Sequence, residues 1–85
     1  MDFGKALKAL KSGKKVCRTN WNGKNQYLFL VKDTEFHTDA DIGDLHNQSI
    51  ELPPFICIKT TRNQMQCGWL ASQSDMLSDD WQIVE

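Results

Sequence analysis

Long hydrophobic runs are missing from this sequence. No apolar stretch approaches the roughly 18–20 residues that a helix needs to cross a bilayer, which excludes a membrane span of that kind. The amino terminus lacks the apolar core of a signal peptide, so the chain reads as soluble and cytosolic. Cysteine is scarce and odd in number: Cys17, Cys57 and Cys67, with no C-x-x-C pair. Each sits among strand-like neighbours, where a free cysteine behaves as a small buried hydrophobe. A disulfide framework is therefore not expected. Nor is a zinc site, because His37 and His46 lie in a separate, acidic segment. Internal repeats and low-complexity tracts are also absent.

What is present is 85 residues, 40% of them apolar and 25% charged, which is enough for one domain. A chain this short buries roughly 60–65% of the surface its unfolded form exposes, so its core alone is marginal. With disulfides and metals set aside, oligomerisation remains as the source of further stability. The net charge of −1 conceals a division. Residues 1–32 hold eight Lys or Arg against one acid, Asp2, giving +7, whereas residues 33–85 hold two bases against ten acids, giving −8. Such a split argues against a generic DNA or RNA binder, which shows a broad basic surface.

Asp2 is placed to cap a helix whose Phe3, Ala6, Leu7 and Leu10 follow the spacing of one buried face. Lys8 and Lys11 suit its last turns and Gly13 its C′ position. The period then changes to two. Lys15 to Thr19 alternates as a strand, Asn20-Trp21-Asn22-Gly23-Lys24 reads as a turn, and Tyr27 to Val31 reads as a central strand buried on both faces. Residues 33–51, with six acids and no Lys or Arg, are expected to form a long loop, and such loops are usually functional. After Pro53-Pro54, Phe55 to Thr60 is a strand, Arg62-Asn63 a hairpin tip, and Gln64 to Cys67 the returning strand. A short helical turn around Ser74–Leu77, capped by Ser72 or Ser74, precedes a last strand at Trp81–Val84. The expected fold is α+β: an N-terminal helix packed on a small, mainly antiparallel sheet of four to five strands, plus that helical turn.

Catalytic chemistry finds little support. The three thiols lie in strands and the two histidines in the acidic segment, and no local sequence favours a thiolate. Asp39-Ala40-Asp41-Ile42-Gly43-Asp44 has a superficial likeness to a calcium loop, but its glycine falls at the fifth position and Ile50 occupies the twelfth. No catalytic residue and no metal ligand is assigned, and no cofactor is implied.

Two polar-aromatic clusters point instead to binding. Trp21 sits in a turn beside Asn22, Gly23 and Lys24, where ligand-contacting groups tend to lie. Trp69 is followed by Ser72, the amide of Gln73, Ser74 and the carboxylate of Asp75 at the mouth of a short helix. The ordinary alternative, a helix cap with a packed tryptophan, has equal weight from spacing alone. Trp81 begins an alternating strand and belongs to the core. Two loop tryptophans offer stacking surfaces for a base, each worth about 1–3 kcal/mol by analogy with nucleic-acid binding. Lys24 and Arg62 supply cations for phosphates, and Asn22, Ser72 and Asp75 supply polar groups for amino and hydroxyl edges. These residues describe a nucleotide-sized pocket without reactive groups.

The same residues carry a family likeness. Asp2-Phe3-Gly4-Lys5-Ala6-Leu7, Trp21-Asn22-Gly23-Lys24, Leu52-Pro53-Pro54-Phe55-Ile56, the block from Trp69 to Leu77 and Asp80-Trp81-Gln82-Ile83-Val84 resemble a family of small phage proteins of Thoeris anti-defence, second type. The likeness runs nearly end to end, apart from residues 33–51. It implies a molecular sponge: a homotetramer, with ligand pockets between subunits, that binds a cyclic ADP-ribose isomer made by a TIR-domain enzyme. The signal is held without cleavage and kept from the Thoeris effector, in the cytoplasm of the infected bacterium. Some members of the family also hold cyclic dinucleotides at separate sites.

Under that resemblance, Trp21 and Trp69 wall or sandwich the adenine. Arg62, Lys24 and the amides near Ser74 face the diphosphate, while Asn22, Thr60, Ser72, Gln73 and Asp75 complete the polar lining. The alternative is a protein-interaction inhibitor that acts through the acidic loop 33–51.

Overall fold

Asp2 starts the first element as its type predicts: its carboxylate accepts the Lys5 amide at 2.8 Å and opens α1 (Phe3–Lys11). A computed structural model describes residues 1–21, 25–37, 41–42, 45–46 and 49–85. At its other end α1 closes on Gly13 at φ +92°, with the Gly13 amide on the Leu10 carbonyl and the Lys14 amide on that of Ala9. That is the Schellman pattern, which needs a left-handed residue at this point. The chain continues through β1 (Lys15–Arg18), β2 (Tyr27–Val31), β3 (Thr34–His37), β4 (Asp41–Ile42) and β5 (Leu45–His46). It then forms β6 (Ser49–Leu52), β7 (Phe55–Lys59), β8 (Met65–Cys67), the short helix α2 (Gln73–Leu77) and β9 (Trp81–Val84).

Five of these strands make one sheet in the order β8-β7-β2-β1-β9, all neighbours antiparallel. α1 lies on one face. Ala6, Ala9 and Leu10 meet Val16, Leu28, Ile58 and Trp81, and Phe3, Leu7, Leu30 and Ile56 close the edges of this core. Burying each large apolar side chain in it is worth about 1.5–3 kcal/mol. The predicted α+β layers, helix positions and hairpin tip are therefore present.

Three expectations are corrected. β2 is central, but only Leu28 is fully buried; Tyr27, Phe29 and Val31, on the face away from α1, are half-buried, because α1 covers one side only. The three cysteines are not alike either. Cys57 is buried, Cys17 half-buried and Cys67 exposed, the last because β8 is the edge strand of this sheet among the described residues.

The third correction concerns residues 33–51, expected as a loop. β3 pairs antiparallel with β6, from Thr34 opposite Leu52 to His37 opposite Ser49, and β4 pairs with β5. The β3–β6 register continues that of β2–β7, in which Val31 faces Phe55. One long hairpin thus leaves the sheet as an arm. Its ladder is interrupted where Pro53 and Pro54 have no amide to donate and Asp33 adopts φ +58°. The acidic composition masked the alternation of Thr34 to His37 and Ser49 to Leu52 that drives this pairing.

Candidate functional site

Trp81, 2% exposed, is the floor on which the candidate site is built. Its indole N–H donates to the Asp75 carbonyl at 2.8 Å, tying β9 to α2. Trp21 meets it edge to face at 5.4 Å and 79°, and Trp69 at 6.3 Å and 83°. Trp21 and Trp69 touch each other at 6.4 Å and 63°. Three tryptophans far apart in sequence form one cluster, with the edge-to-face geometry that ring quadrupoles favour. Trp21 and Trp69 are inclined to each other with no parallel gap between them. They present a wall to a base, not a slot.

Beneath the wall lies Arg18, whose side chain is 11% exposed. Its Nη1 donates to Asp75 Oδ1 and its Nε to Asp80 Oδ1, both at 2.9 Å. Asp80 Oδ2 also accepts the Asn20 amide at 3.0 Å, and the Trp21 amide reaches the Arg18 carbonyl at 3.3 Å. One guanidinium therefore joins β1, α2, the turn before β9 and the turn that carries Trp21. The hydrogen bonds it donates to Asp80 and then to Asp75 push the Arg18 pKa further up. The Arg18 hydrogen bond is the main cause of the lowered pKa of Asp80. At Asp75 burial is the largest influence and acts upward. The Ser72 amide, Arg18, the Ser72 hydroxyl and the Trp21 indole together outweigh it and hold the carboxyl below its ordinary value.

Ser72 and Asp75 complete a capping box: the Asp75 amide donates to Ser72 Oγ at 3.1 Å and the Ser72 amide to Asp75 Oδ2 at 2.9 Å. Both oxygens of Asp75 are thus occupied within the chain. Its part in the site is to fix the position of Arg18 and Trp21.

Beside Trp21 opens a cavity of about 540 Å³, within the usual size range of small-molecule sites. It is lined by Lys15, Trp21, Gln26, Tyr27, Lys59 and Gln82, among others. The ammonium groups of Lys15 and Lys59 lie 4.8 and 5.4 Å from the centre of the Tyr27 ring. Lys59 also donates to the Asn25 carbonyl at 3.2 Å. Aromatic faces beside two cations suit a ligand that combines a base with phosphates. Among the described residues, no three His, Cys, Asp or Glu side chains gather as a metal-ligand set.

The residues singled out from the sequence are distributed unevenly around this geometry. Trp21, Trp69, Ser72 and Asp75 come together, and Gln73 is exposed on α2. Asn22 and Lys24 lie outside the described residues. Thr60 and Arg62 stand at the β7–β8 turn, where Thr60 Oγ1 accepts the Gln64 amide at 3.3 Å and Arg62 is exposed. β8 and β9 are opposite edges of the sheet, four strand spacings apart, about 19 Å. Arg62 stays on that exposed turn, three residues beyond Lys59.

Sequence reasoning missed Arg18, Lys15, Tyr27, Lys59 and Asp80. Their only sequence signal is the strand alternation that puts Lys15, Tyr27 and Lys59 on one face, and it requires the strand order to be read.

Two comparisons with known proteins bear on this geometry. A family model described as a Thoeris anti-defense 2-like domain matches residues 1–84. A protein of Bacillus phage SP01 named "Thoeris anti-defense 2" is 42% identical over 87 residues, covering 99% of this chain and 94% of that protein.

Proposed function

Because the chain belongs to the Thoeris anti-defense 2-like family, a family with an anti-defence role in phage, we propose that it acts as a sponge. It binds a TIR-produced cyclic ADP-ribose isomer, does not cleave it, and keeps it from the Thoeris effector in the cytoplasm of the infected host. The observation that carries this reading is the cavity beside Trp21, with Tyr27 and the ammonium groups of Lys15 and Lys59 on its wall. The adenine lies against Trp21, which lines the cavity and is backed by Trp69, and the diphosphate faces Lys15 and Lys59, joined by Lys24. Arg62, on the exposed β7–β8 turn, adds a cation to the pocket of a neighbouring subunit in a homotetramer whose pockets lie between subunits. Thr60 of the same turn goes with it, while Asn22, Ser72 and Gln73 supply hydrogen bonds around the rim. Affinity comes from a rigid pocket whose walls are already ordered. Cyclic dinucleotides are a second ligand class for the assembly. DNA, RNA and membranes are not partners.

The test incubates the purified protein with a cyclic ADP-ribose made by a TIR enzyme, removes free ligand by gel filtration and heats the protein. Release of intact ligand is expected. The Lys15→Gln/Lys59→Gln double variant is expected to retain it at least about tenfold less well, with little change in melting temperature. A linear product would make the protein an enzyme, and no retention by the wild type would sink the sponge reading for that ligand.

A second reading rests on the arm. Glu35 and Glu51 are exposed and directly opposite each other on β3 and β6, an arrangement of like charges that is unfavourable unless a cation meets it. In this reading the arm, with Asp39, Asp41 and Asp44, docks on a basic protein partner. Neutralising those acids then abolishes inhibition while ligand retention is unchanged.

A further inference from the structure

Cys57 and Cys67 stand directly opposite each other on β7 and β8, and both are free thiols. The hydrogen bonds of this hairpin define what kind of pair they are. The Thr60 amide donates to the Gln64 carbonyl at 2.7 Å and the Gly68 amide to the Ile56 carbonyl at 3.0 Å. The hydrogen-bonded positions are therefore 60 with 64, 58 with 66 and 56 with 68. Cys57 and Cys67 occupy a non-hydrogen-bonded position between them, where Cα atoms approach to about 4.5 Å and side chains come closest. That separation falls within the range a disulfide bridges.

Their exposures differ. Cys67 lies on the sheet edge in contact with solvent, whereas Cys57 is buried behind it. Cys17, half-buried on β1, is separated from Cys57 by β2, about 10 Å away across two strand spacings.

We propose that Cys57 and Cys67 form a modification site for hydroperoxides, with Cys67 as the thiol that is oxidised first and Cys57 as the thiol that resolves it. The Cys67 thiolate displaces on the peroxide oxygen. The O–O bond breaks, the leaving oxygen takes a proton, and Cys67 becomes a sulfenic acid. The Cys57 sulfur then attacks the Cys67 sulfur. The S–O bond breaks and the hydroxide leaves as water with the Cys57 proton. Two thiols lose two electrons in total, and hydrogen peroxide is reduced to two waters. Burial, and next the contact with Cys67, push the Cys57 thiol up to about 11, so it stays protonated and does not compete for peroxide at neutral pH.

The disulfide staples the outermost strand to the sheet. Gly68 and Trp69 both donate their amides to Ile56, the residue before Cys57, so the staple lies at the stem from which Trp69 projects. It closes a short loop, for which chain-entropy arguments predict a higher melting temperature by about 10–20 °C.

The experiment treats the reduced full-length protein with stoichiometric hydrogen peroxide, blocks remaining thiols with N-ethylmaleimide and maps peptides without reduction. A Cys57–Cys67 link is expected, with loss of two hydrogens, Cys17 still alkylated, and a rise in melting temperature that dithiothreitol reverses. Cys67→Ser, at an exposed position, is expected to keep the fold and form no link. Cys57→Ser is expected to stop at a sulfenic acid on Cys67 that dimedone traps. Sulfinic acid on wild-type Cys67, a link between two chains, a link to Cys17, or three unmodified thiols would each overturn the proposal. None of these outcomes depends on what the cavity binds.

Discussion

The two edges of the five-stranded sheet are built in opposite ways. At the β9 edge, Trp81 is buried against α1 and hydrogen-bonded to α2, and Arg18 on the neighbouring strand binds two carboxylates. At the β8 edge all three residues are exposed and, among the described residues, the strand pairs with β7 alone. A half-buried, doubly ion-paired arginine adds little net stability compared with a well-packed apolar side chain of its size, but it is costly to break. The β9 edge therefore invests in position: Arg18, Asp75 and Asp80 fix where Trp21 and Trp81 stand. The β8 edge is free to move or be modified without disturbing that framework.

Removing the floor should separate the edges most. Trp81→Ala deletes a fully buried indole and leaves its neighbours around a cavity, a change that usually costs about 3–5 kcal/mol. In a domain of this size that is a large share of the total stability. Urea denaturation is expected to show a partly or wholly unfolded variant, and a midpoint near that of the wild type would show that Trp81 is not the keystone of this edge.

Arg18→Met comes next. It leaves Asp75 without its cation, so a clearly lower urea midpoint near neutral pH is expected. The pH dependence carries the sharper signal. Asp75 and Asp80 have folded pKa values below their ordinary ones. Their contribution is fully present above the unfolded carboxylate value of about 3.9 and is lost as the pH falls through the folded values. Wild-type stability should drop steeply below about pH 4, and the gap between wild type and Arg18→Met should narrow over the same interval. Parallel curves for the two proteins would mean that the guanidinium does not set these carboxyls.

Much of the fold was legible because its signals are local. The Asp2 cap and Gly13 stop delimit α1, strand alternation marks β1, β7 and β8, and Ser72 followed by Asp75 announces α2. The Arg18 centre was not legible, because Asp75 and Asp80 lie 57 and 62 residues further along the chain. Nothing near Arg18 distinguishes it from the lysines before it. Lys15, Tyr27 and Lys59 show the same limit, since each is an ordinary strand residue until three strands are laid side by side. The arm was missed for another reason: six acids in residues 33–51 suggested a solvated loop, although the period-two pattern was present on both sides.

The smallest effect is expected at the other edge. Met65, 63% exposed on β8, faces Lys59 across a single ladder and covers none of the core. Met65→Thr exchanges a flexible side chain for a β-branched one that suits a strand. Surface changes of this kind usually fall within about 0.5 kcal/mol, so its urea midpoint should nearly match the wild type. The informative quantity is its coupling to Trp81. The two positions lie at opposite edges, about 19 Å apart, and share no partner, so their effects should add. A milder floor variant, Trp81→Phe, keeps the chain folded enough to measure this. If Met65→Thr alters the midpoint of Trp81→Phe more than that of the wild type, the edges are not independent, and β8 then helps to hold the tryptophan cluster through Gly68 and Trp69.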